Sequence, residues 1–461
     1  MNIISKEKLM KYHFIAIGGS AMHNLAIALH LNGEVVTGSD DEIFNPSKER
    51  LMKYGLLPKT IGWNPSLIDS SIDAIILGMH ARENNPELKK AQSLGINIFS
   101  YPEFIYERTK NQIRVVIGGS HGKTSITSMI LHVLKENNID HNYMVGAQLE
   151  GFECMVKLSN DSKIAVLEGD EYLSSPIDKR PKFHLYKPNI AVISGIAWDH
   201  INVFPTFENY VEQFKIFAKS VSEDGSLFYC FEDNNLIELI KSTNLRCNST
   251  GYLAHNHEVK DGITNLIYDN NIIPIEIFGI HNLQNLKAAQ MVCNKLGIEN
   301  DSFYNAIKKF KGASKRLELV SKNENTVFYK DFAHSPSKLK ATTQALKNQY
   351  PKRYLVACME LHTFSSLNKE FLKQYKNSMS AANEAIVYYN VETIERKNLE
   401  KISKNDIESA FGTENLKVFN SSERMLNYLK LKNWHDKNLL MMTSGNFDGI
   451  YYDELASEII K

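Results

Sequence analysis

A glycine-rich turn between an apolar strand and a helix is the segment of this sequence best suited to chemistry. The apolar run 114–118 leads into Gly119-Ser120-His121-Gly122-Lys123-Thr124-Ser125, and a helical pattern follows. Glycines let backbone N–H groups close on phosphate oxygens, and a helix N-terminus adds positive potential. Lys123 can reach terminal phosphates, and the Thr124 hydroxyl can ligate Mg²⁺. The spacing predicts a nucleoside triphosphate site, although Ile117 occupies the first glycine position of the strict P-loop pattern.

Acidic residues at the end of a later strand are candidates for holding the metal ion of such a nucleotide. The strand 163–167 ends in Glu168-Gly169-Asp170-Glu171, and the strand 189–193 leads towards Asp199-His200. In a parallel sheet the carboxyl ends of strands share one edge, so these residues should lie beside the phosphate turn. Mg²⁺ prefers oxygen ligands, which makes Glu168 the first choice, with Asp170 and Glu171 as alternates. By its spacing alone His200 is more typical of a core or surface histidine, because Mg²⁺ accepts nitrogen reluctantly.

Alternating strand and helix patterns along the chain predict parallel α/β sheets and three domains. The first domain, 1–110, opens with a strand, a turn at Gly18-Gly19-Ser20, a helix and a second strand with an acidic end. This opening is Rossmann-like but lacks G-x-G-x-x-G, so it indicates no dinucleotide by itself. The central domain, 111–314, holds the phosphate turn, with 227–277 expected as a β-rich side layer, and the third domain is 315–461.

Charge and composition exclude several classes of protein. Lys plus Arg and Asp plus Glu both number 53, so no overall field would attract nucleic acid or an anionic membrane. No apolar run reaches the ~18 residues of a membrane span, and the N-terminus lacks a signal peptide's apolar core. We therefore expect a cytoplasmic protein that binds neither nucleic acid nor membrane. The cysteines show no CxxC spacing and are expected to be reduced thiols, namely Cys154, Cys230, Cys247, Cys293 and Cys358.

An ordered set of motifs runs along nearly the whole chain. The phosphate turn and the strand end Glu168–Glu171 are two of these motifs. The others are Asp199-His200, Gly279-Ile280-His281-Asn282-Leu283-Gln284-Asn285, Lys315-Arg316-Leu317 and Asp331-Phe332-Ala333-His334-Ser335-Pro336. This ordered set resembles the Mur ligase family, whose members assemble the peptide stem of bacterial cell-wall precursors. The resemblance implies an N-terminal Rossmann-like domain for a UDP-sugar, a central P-loop ATPase domain, and a C-terminal Rossmann-like domain that closes over nucleotide and acceptor.

The resemblance also implies roles for individual residues, with ATP and two Mg²⁺ ions as cofactors. The implied catalytic residues are Lys123, Glu168, His200 and Arg316, and the implied metal ligands are Thr124, Glu168 and His200. The residues implied for ATP are Gly119, Ser120, His121, Gly122, Lys123, Thr124, Ser125, His281, Asn282, Asn285, Arg316 and Asp331. The residues implied for the UDP-sugar are Gly18, Gly19, Ser20, Ala21, Met22, Ser39, Asp40 and His80.

The N-terminal pattern resembles the family branches that act directly on UDP-N-acetylmuramate. One branch adds L-alanine, and the other reattaches the recycled tripeptide L-Ala-γ-D-Glu-meso-diaminopimelate. The segments 170–172 and 178–183 resemble the second branch, and the loop 360–366 lacks the two arginines of the first. The resemblance therefore favours the tripeptide as acceptor, with L-alanine as the alternative. Acceptor candidates are His334, His362 and Thr363, and the enzyme is expected to be a monomer or weak dimer.

Two other interpretations stay open. The chain could be an ATP-binding regulatory protein with an inactive ligase site. Intact site residues argue against this, namely Lys123, Glu168, His200 and Asp331. It could also join an amino acid to an unrelated acid, as the folate-polyglutamate relatives do, but those relatives lack a UDP-sugar domain.

Overall fold

Three α/β units make up the molecule, called here the first, middle and third units. The computed structural model describes residues 9–149, 151–198, 203–260, 262–312 and 316–460. The fold class predicted from the sequence, with three parallel-sheet α/β domains, is confirmed. The predicted boundaries after residues 110 and 314 stay predictions. Within the described ranges, every helix is too short or too polar to span a lipid bilayer.

The first unit is a parallel sheet flanked by helices. Its strands are β1 (Lys11–Ile15), β2 (Val35–Ser39), β3 (Ala74–Leu77) and β4 (Asn97–Ser100), in the order β2-β1-β3-β4. Its helices are α1 (Ser20–Leu31), α2 (Ser47–Lys53), α3 (Pro86–Ser93) and α4 (Tyr101–Thr109), with a short 3₁₀ turn at Pro65–Leu67. The strand β3 is buried along its whole length, which explains why its sequence is a continuous apolar run.

The middle unit has a larger, mostly parallel sheet. Its strands are β5 (Ile113–Gly118), β6 (Asn142–Met144), β7 (Val156–Lys157), β8 (Ile164–Glu168), β9 (Ile190–Ile193), β10 (Ser226–Cys230) and β11 (Asn248–Tyr252), in the order β11-β10-β9-β5-β8-β6-β7. A separate antiparallel sheet contains β12 (His257–Lys260), β13 (Ile263–Tyr268) and β14 (Asn271–Ile275). The helices are α5 (Lys123–Glu136), α6 (Phe207–Lys219), α7 (Asn234–Ser242), α8 (Ile280–Lys295) and α9 (Asn300–Ile307), with a 3₁₀ turn at Lys182–His184.

The side layer expected at 227–277 is smaller than predicted. The strands β10 and β11 pair in parallel with each other and with β9, so they extend the main sheet. Only the segment 257–275 forms the separate antiparallel layer. The helix α7 connects β10 to β11, and such a crossover places the two strands parallel in one sheet.

The third unit repeats the α/β pattern. Its strands are β15 (Glu318–Lys322), β16 (Val327–Asp331), β17 (Tyr354–Leu361), β18 (Glu384–Tyr389), β19 (Leu416–Phe419) and β20 (Lys437–Met442), in the order β15-β16-β20-β17-β18-β19. The edge strand β15 is antiparallel to β16, and the other pairs are parallel. The helices are α10 (Pro336–Gln349), α11 (Lys369–Leu372), α12 (Val391–Arg396), α13 (Lys404–Phe411), α14 (Ser422–Lys430) and α15 (Tyr452–Ile459), with a 3₁₀ turn at Lys373–Tyr375.

The first and middle units share one large hydrophobic core, and the first unit has a smaller apolar cluster of its own. The third unit has two other clusters on the two faces of its sheet, one of which includes Phe278 of the middle unit. Polar contacts reinforce the shared core. The Met155 N–H donates to the Asn24 side-chain oxygen at 3.0 Å, and Arg50 Nη2 donates to the Glu153 carbonyl at 2.6 Å. The first unit is therefore fixed against the middle unit, while the third unit meets the middle unit around a cleft.

Candidate active site

The phosphate turn connects the centre of the middle sheet to the buried helix α5. The strand β5 lies between β8 and β9 and delivers the turn to the carboxyl edge of the sheet. Gly119 and Gly122 both have positive φ, at 131° and 80°. A Cβ would collide with the Ser194 hydroxyl at Gly119 and with the side-chain oxygen of Asn285 at Gly122. Both glycines are required, because any other residue would be strained and would displace a neighbour.

Lys123 is the first residue of α5, and its side chain folds back over the turn. Its Nζ donates to the Gly119 carbonyl at 2.8 Å and forms an ion pair with Glu171 Oε2 at 2.7 Å. Burial opposes the charge on Lys123, but the carboxylates of Glu171 and Asp170 outweigh it and raise the pKa of the ammonium group. Asp170 in turn lies 3.5 Å from Lys182 Nζ. Both alternate metal carboxylates are thus paired with lysines.

Thr124 and Glu168 form the other polar contact at the base of the turn. The Thr124 hydroxyl donates to Glu168 Oε1 at 2.8 Å, and the Gly146 N–H donates to Oε2 at 3.0 Å. Both side chains are buried. Burial and then repulsion by Asp170 raise the pKa of Glu168. A buried carboxylate whose charge is disfavoured by its surroundings is one that a bound cation would stabilise.

This donor set fits Mg²⁺. A hydroxyl oxygen and one carboxylate are the hard ligands that Mg²⁺ takes from protein when phosphate oxygens and water complete its shell. No cluster of three or more His, Cys, Asp or Glu side chains that could hold a metal occurs in the described part of the chain. The predicted ligand His200, together with Asp199 and Lys315 of the family motifs, lies outside the described residues.

A cleft of about 250 Å³ lies between the phosphate turn, the start of α8 and the third unit. The middle unit contributes Ser120, His121, Gly122, Lys123, Thr124, Ser125, Glu168, Ser194, His281, Asn282, Gln284 and Asn285. The third unit contributes Arg316, Leu317, Asp331, Ala333, Ser337, Lys338, Ala341 and Thr342. The structure thus brings together every described ATP candidate except Gly119, whose carbonyl still binds Lys123. Sequence reasoning missed Ser194, Lys338 and the helix face that includes Thr342.

The start of α8 forms one wall of the cleft. Gly279 has φ 90°, so the chain can turn sharply into the helix. The Asn282 side-chain amide donates to the Phe278 carbonyl at 2.9 Å, which fixes the first turn. Burial lowers the pKa of His281 more than the nearby Asp331 raises it, which favours the neutral imidazole. A neutral imidazole has one donor and one acceptor nitrogen, which suits a heterocyclic base or a ribose.

Asp331, at the end of β16, organises the wall that faces the phosphate turn. Its Oδ1 accepts the Leu317 and Phe332 N–H groups, both at 2.9 Å, and its Oδ2 accepts the Thr342 hydroxyl at 2.7 Å. The Arg316 guanidinium lies over the Phe332 ring at 4.8 Å. The carboxylate therefore fixes the turn that presents Arg316 to the cleft, in addition to any contact it makes with ribose.

The side chains of His121 and Ser120 have surroundings unlike those expected of phosphate ligands. Burial, and after it the charge of Lys338, lowers the pKa of His121 to about 4. The Ser120 hydroxyl lies 3.0 Å from the Tyr210 hydroxyl and accepts the Ala197 N–H at 2.8 Å. The Ser120 side chain therefore faces the protein, and its contribution to a nucleotide would come from the backbone.

The predicted UDP-sugar residues gather at the carboxyl edge of the first sheet. Gly18 and Gly19 follow β1, Ser20 begins α1, and the Gly18 N–H donates to Asp40 Oδ2 at 2.7 Å. Burial raises the pKa of Asp40 to about 6. His80 follows β3 and is exposed, and Ala21 is half-buried. This edge is where ligands bind in open parallel sheets.

Met22 and Ser39 are among the buried residues of this set, and their side chains are directed away from the edge. Met22 is 5% exposed and packs in the shared core, and Ser39 is 1% exposed. The Ser39 hydroxyl donates to Glu87, which also accepts the Asn64 N–H at 2.6 Å. The sequence could not separate these orientations, because a residue in the first turn of a helix or at the end of a strand can face either side. Only the backbone of Met22 and Ser39 is available for a ligand at this edge.

The predicted acceptor residues lie at the carboxyl ends of β16 and β17, outside the lining of the cleft. His334 Nδ1 lies 2.9 Å from the Phe332 carbonyl, and Thr363 closes a turn with Ser366. His362 Nδ1 lies 3.7 Å from Glu360 Oε1. Glu360 is buried, and its Oε2 accepts the Phe447 N–H at 2.8 Å.

Comparison with known proteins agrees with this architecture. Residues 11–112 match the model described as the Mur ligase family catalytic domain, 117–293 the Mur ligase middle domain, and 315–445 the Mur ligase glutamate ligase domain. A UDP-N-acetylmuramate--L-alanine ligase of Caldicellulosiruptor bescii is 32% identical over 390 residues, which is 82% of this chain and 83% of that protein.

Solved structures share the fold. The UDP-N-acetylmuramate-alanine ligase of Thermotoga maritima aligns with a TM-score of 0.68 at 19% identity, over 96% of this chain and 97% of that one. A murein peptide ligase of Psychrobacter arcticus aligns with a TM-score of 0.64 at 20% identity, over 98% of both chains. At this identity the likeness concerns the fold alone.

The chain belongs to the Mur ligase family. It is accordingly an ATP-dependent ligase that forms a C–N bond, and Mur ligases use Mg²⁺ with the nucleotide. The alternative of a regulatory protein without ligase activity is not supported.

Proposed function

We propose that this Mur ligase joins the lactyl carboxylate of UDP-N-acetylmuramate to the amine of L-alanine, with cleavage of ATP to ADP and phosphate. The use of ATP is supported by the buried Thr124–Glu168 pair beside Lys123. Arg316 of the third unit lines the same cleft. The sugar and acceptor are supported by the C. bescii relative, which is named for both and aligns over most of this chain.

ATP is needed because a carboxylate is a poor acyl donor. Transfer of the γ-phosphoryl group to a lactyl oxygen breaks its bond to ADP and forms an acyl phosphate. The neutral amine then attacks the carbonyl carbon, loses a proton, and expels phosphate as the amide forms. Mg²⁺, held by Thr124 and Glu168 with His200 as the proposed ligand of a second ion, would neutralise the phosphate charges. Lys123 and Arg316 supply fixed positive charge where two anions must meet.

The remaining residues are assigned by their position. We propose that the start of α8, with His281, Asn282 and Asn285, contacts adenosine, and that Asp331 lies near the ribose. The edge of the first sheet would receive the UDP-sugar through the Gly18–Ser20 turn, Asp40 and His80. His334, His362 and Thr363 stay proposals for the acceptor side.

Two compounds are candidates for the acceptor amine, namely L-alanine and the tripeptide. The curated relatives named for L-alanine give L-alanine more support than the tripeptide expected from the motifs. The tripeptide is kept as the second candidate because of one observation. The segment from Glu360 to Ser366 contains no Arg or Lys, so this loop offers no cation for the carboxylate of a single amino acid.

Phosphate release with purified protein tests the proposal. ATP, Mg²⁺ and UDP-N-acetylmuramate are held saturating, and L-alanine or L-Ala-γ-D-Glu-meso-diaminopimelate is offered separately, with D-alanine as the stereochemical control. We expect kcat/KM for L-alanine to exceed that for the tripeptide by ~10²-fold or more, since discrimination within a polar site reaches this size. A preference of similar size for the tripeptide would contradict the assignment of L-alanine as the acceptor and favour the tripeptide instead.

A further inference from the structure

Lys338 is a cleft residue that no family motif in the sequence singled out. It lies in the first turn of α10, and its side chain is half-buried. It lines the same cleft as Lys123 and Arg316. His121 of the phosphate turn, which belongs to the middle unit, lines the same cleft. Lys338 and the phosphate turn therefore belong to two walls of one cleft, and the charge of Lys338 helps to lower the pKa of His121.

The orientation of α10 is fixed by contacts on the same helix face. Ser337, Lys338, Ala341 and Thr342 line the cleft, which is the i, i+4 spacing of one face. The Thr342 hydroxyl donates to Asp331 Oδ2 at 2.7 Å, and Leu339 is fully buried in an apolar cluster on the sheet of the third unit. Lys338 lies one turn before Thr342, so the contact that anchors the helix also aims Lys338 into the cleft. Lys340 is exposed and lies outside the cleft lining.

The charge balance of the cleft gives Lys338 a role. Lys123 forms its ion pair with Glu171, which is 1% exposed, so much of its charge is already balanced inside the protein. A nucleoside triphosphate carries several negative charges. One lysine whose charge is partly neutralised by Glu171 balances few of them. Arg316 and Lys338 both come from the third unit. They would complete the phosphate site only when the third unit lies against the middle unit.

We propose that Lys338 binds the phosphate chain of the nucleotide and is a cation contributed by the third unit. The proposal rests on the assignment of this cleft to ATP. Its Nζ would contact a phosphate oxygen, whereas the adenosine moiety would be held by the start of α8. Loss of Lys338 should therefore weaken the binding of ADP and ATP, which carry phosphates, and leave the binding of adenosine unchanged.

Competition binding against a fluorescent ADP analogue tests this inference in Lys338→Met, Lys338→Arg and the matched control Lys340→Met. A charged hydrogen bond to phosphate predicts ~10- to 100-fold weaker ADP and ATP binding for Lys338→Met. Adenosine binding should be unchanged, Lys338→Arg should restore most of the affinity, and Lys340→Met should match the wild type. Wild-type ADP affinity in Lys338→Met, or an equal loss for adenosine, would overturn the inference.

Lys123→Ala in the same assay separates this inference from the proposed function. If Lys123→Ala weakens ADP binding and Lys338→Met does not, the proposed role of Lys338 is wrong and the assignment of the cleft to ATP is retained. If the wild type binds neither ADP nor ATP, the proposed function itself fails.

Discussion

Lys123→Ala is expected to lower kcat by ~10³-fold or more, because fixed charge on a transferring phosphoryl group is the largest contribution such a loop makes. The variant should still bind UDP-N-acetylmuramate, whose proposed site is in the first unit. Lys135→Ala is the matched control, since it changes an exposed lysine near the other end of the same helix. Near-normal turnover of folded Lys123→Ala would contradict the assignment of the phosphate turn.

A complication arises from the partner of Lys123. Removing the lysine leaves the Glu171 carboxylate buried without its cation, which costs ~3–5 kcal/mol in comparable pairs. The double variant Lys123→Met/Glu171→Gln keeps both sites filled and neutral. We expect it to unfold at a higher temperature than Lys123→Ala and to remain as inactive. Recovery of activity in the double variant would show that the loss in Lys123→Ala came from destabilisation.

Glu168→Gln is expected to lower kcat by ~10²-fold and to raise the Mg²⁺ concentration needed for half-maximal activity. The amide keeps the size of the side chain and removes the charge that a cation would balance. Asp170→Asn is the matched control, because this carboxylate lies two residues away and pairs with Lys182. A Mg²⁺ titration that shifts in Asp170→Asn and stays fixed in Glu168→Gln would reverse the metal assignment.

The positions of the phosphate turn and of Glu168 in the middle sheet could be predicted because their signals are local, whereas their roles stay predictions. Glycine spacing defines the turn, and the carboxyl end of a buried parallel strand defines the edge at which Glu168 lies. The choice between Glu168 and Glu171 could not be made from sequence, since it depends on which carboxylate pairs with Lys123.

Features that depend on distant contacts were missed or misjudged. Lys338 lines the cleft from another unit than the phosphate turn, and its place there depends on the anchoring of α10 by Asp331. The inward side chain of Ser39 depends on Glu87, which lies far along the chain. The strands β10 and β11 carry short irregular patterns, and their membership of the main sheet was decided by long-range parallel pairing.

We propose that ATP activates the lactyl carboxylate of UDP-N-acetylmuramate as an acyl phosphate. The most direct test uses UDP-N-acetylmuramate with an isotopic oxygen label in both lactyl carboxylate oxygens, turned over with ATP and the amine that proves active. We expect one labelled oxygen to appear in the released inorganic phosphate for each amide formed. Amide formation with unlabelled phosphate would contradict it, because the phosphoryl group would then never have been bonded to that carboxylate.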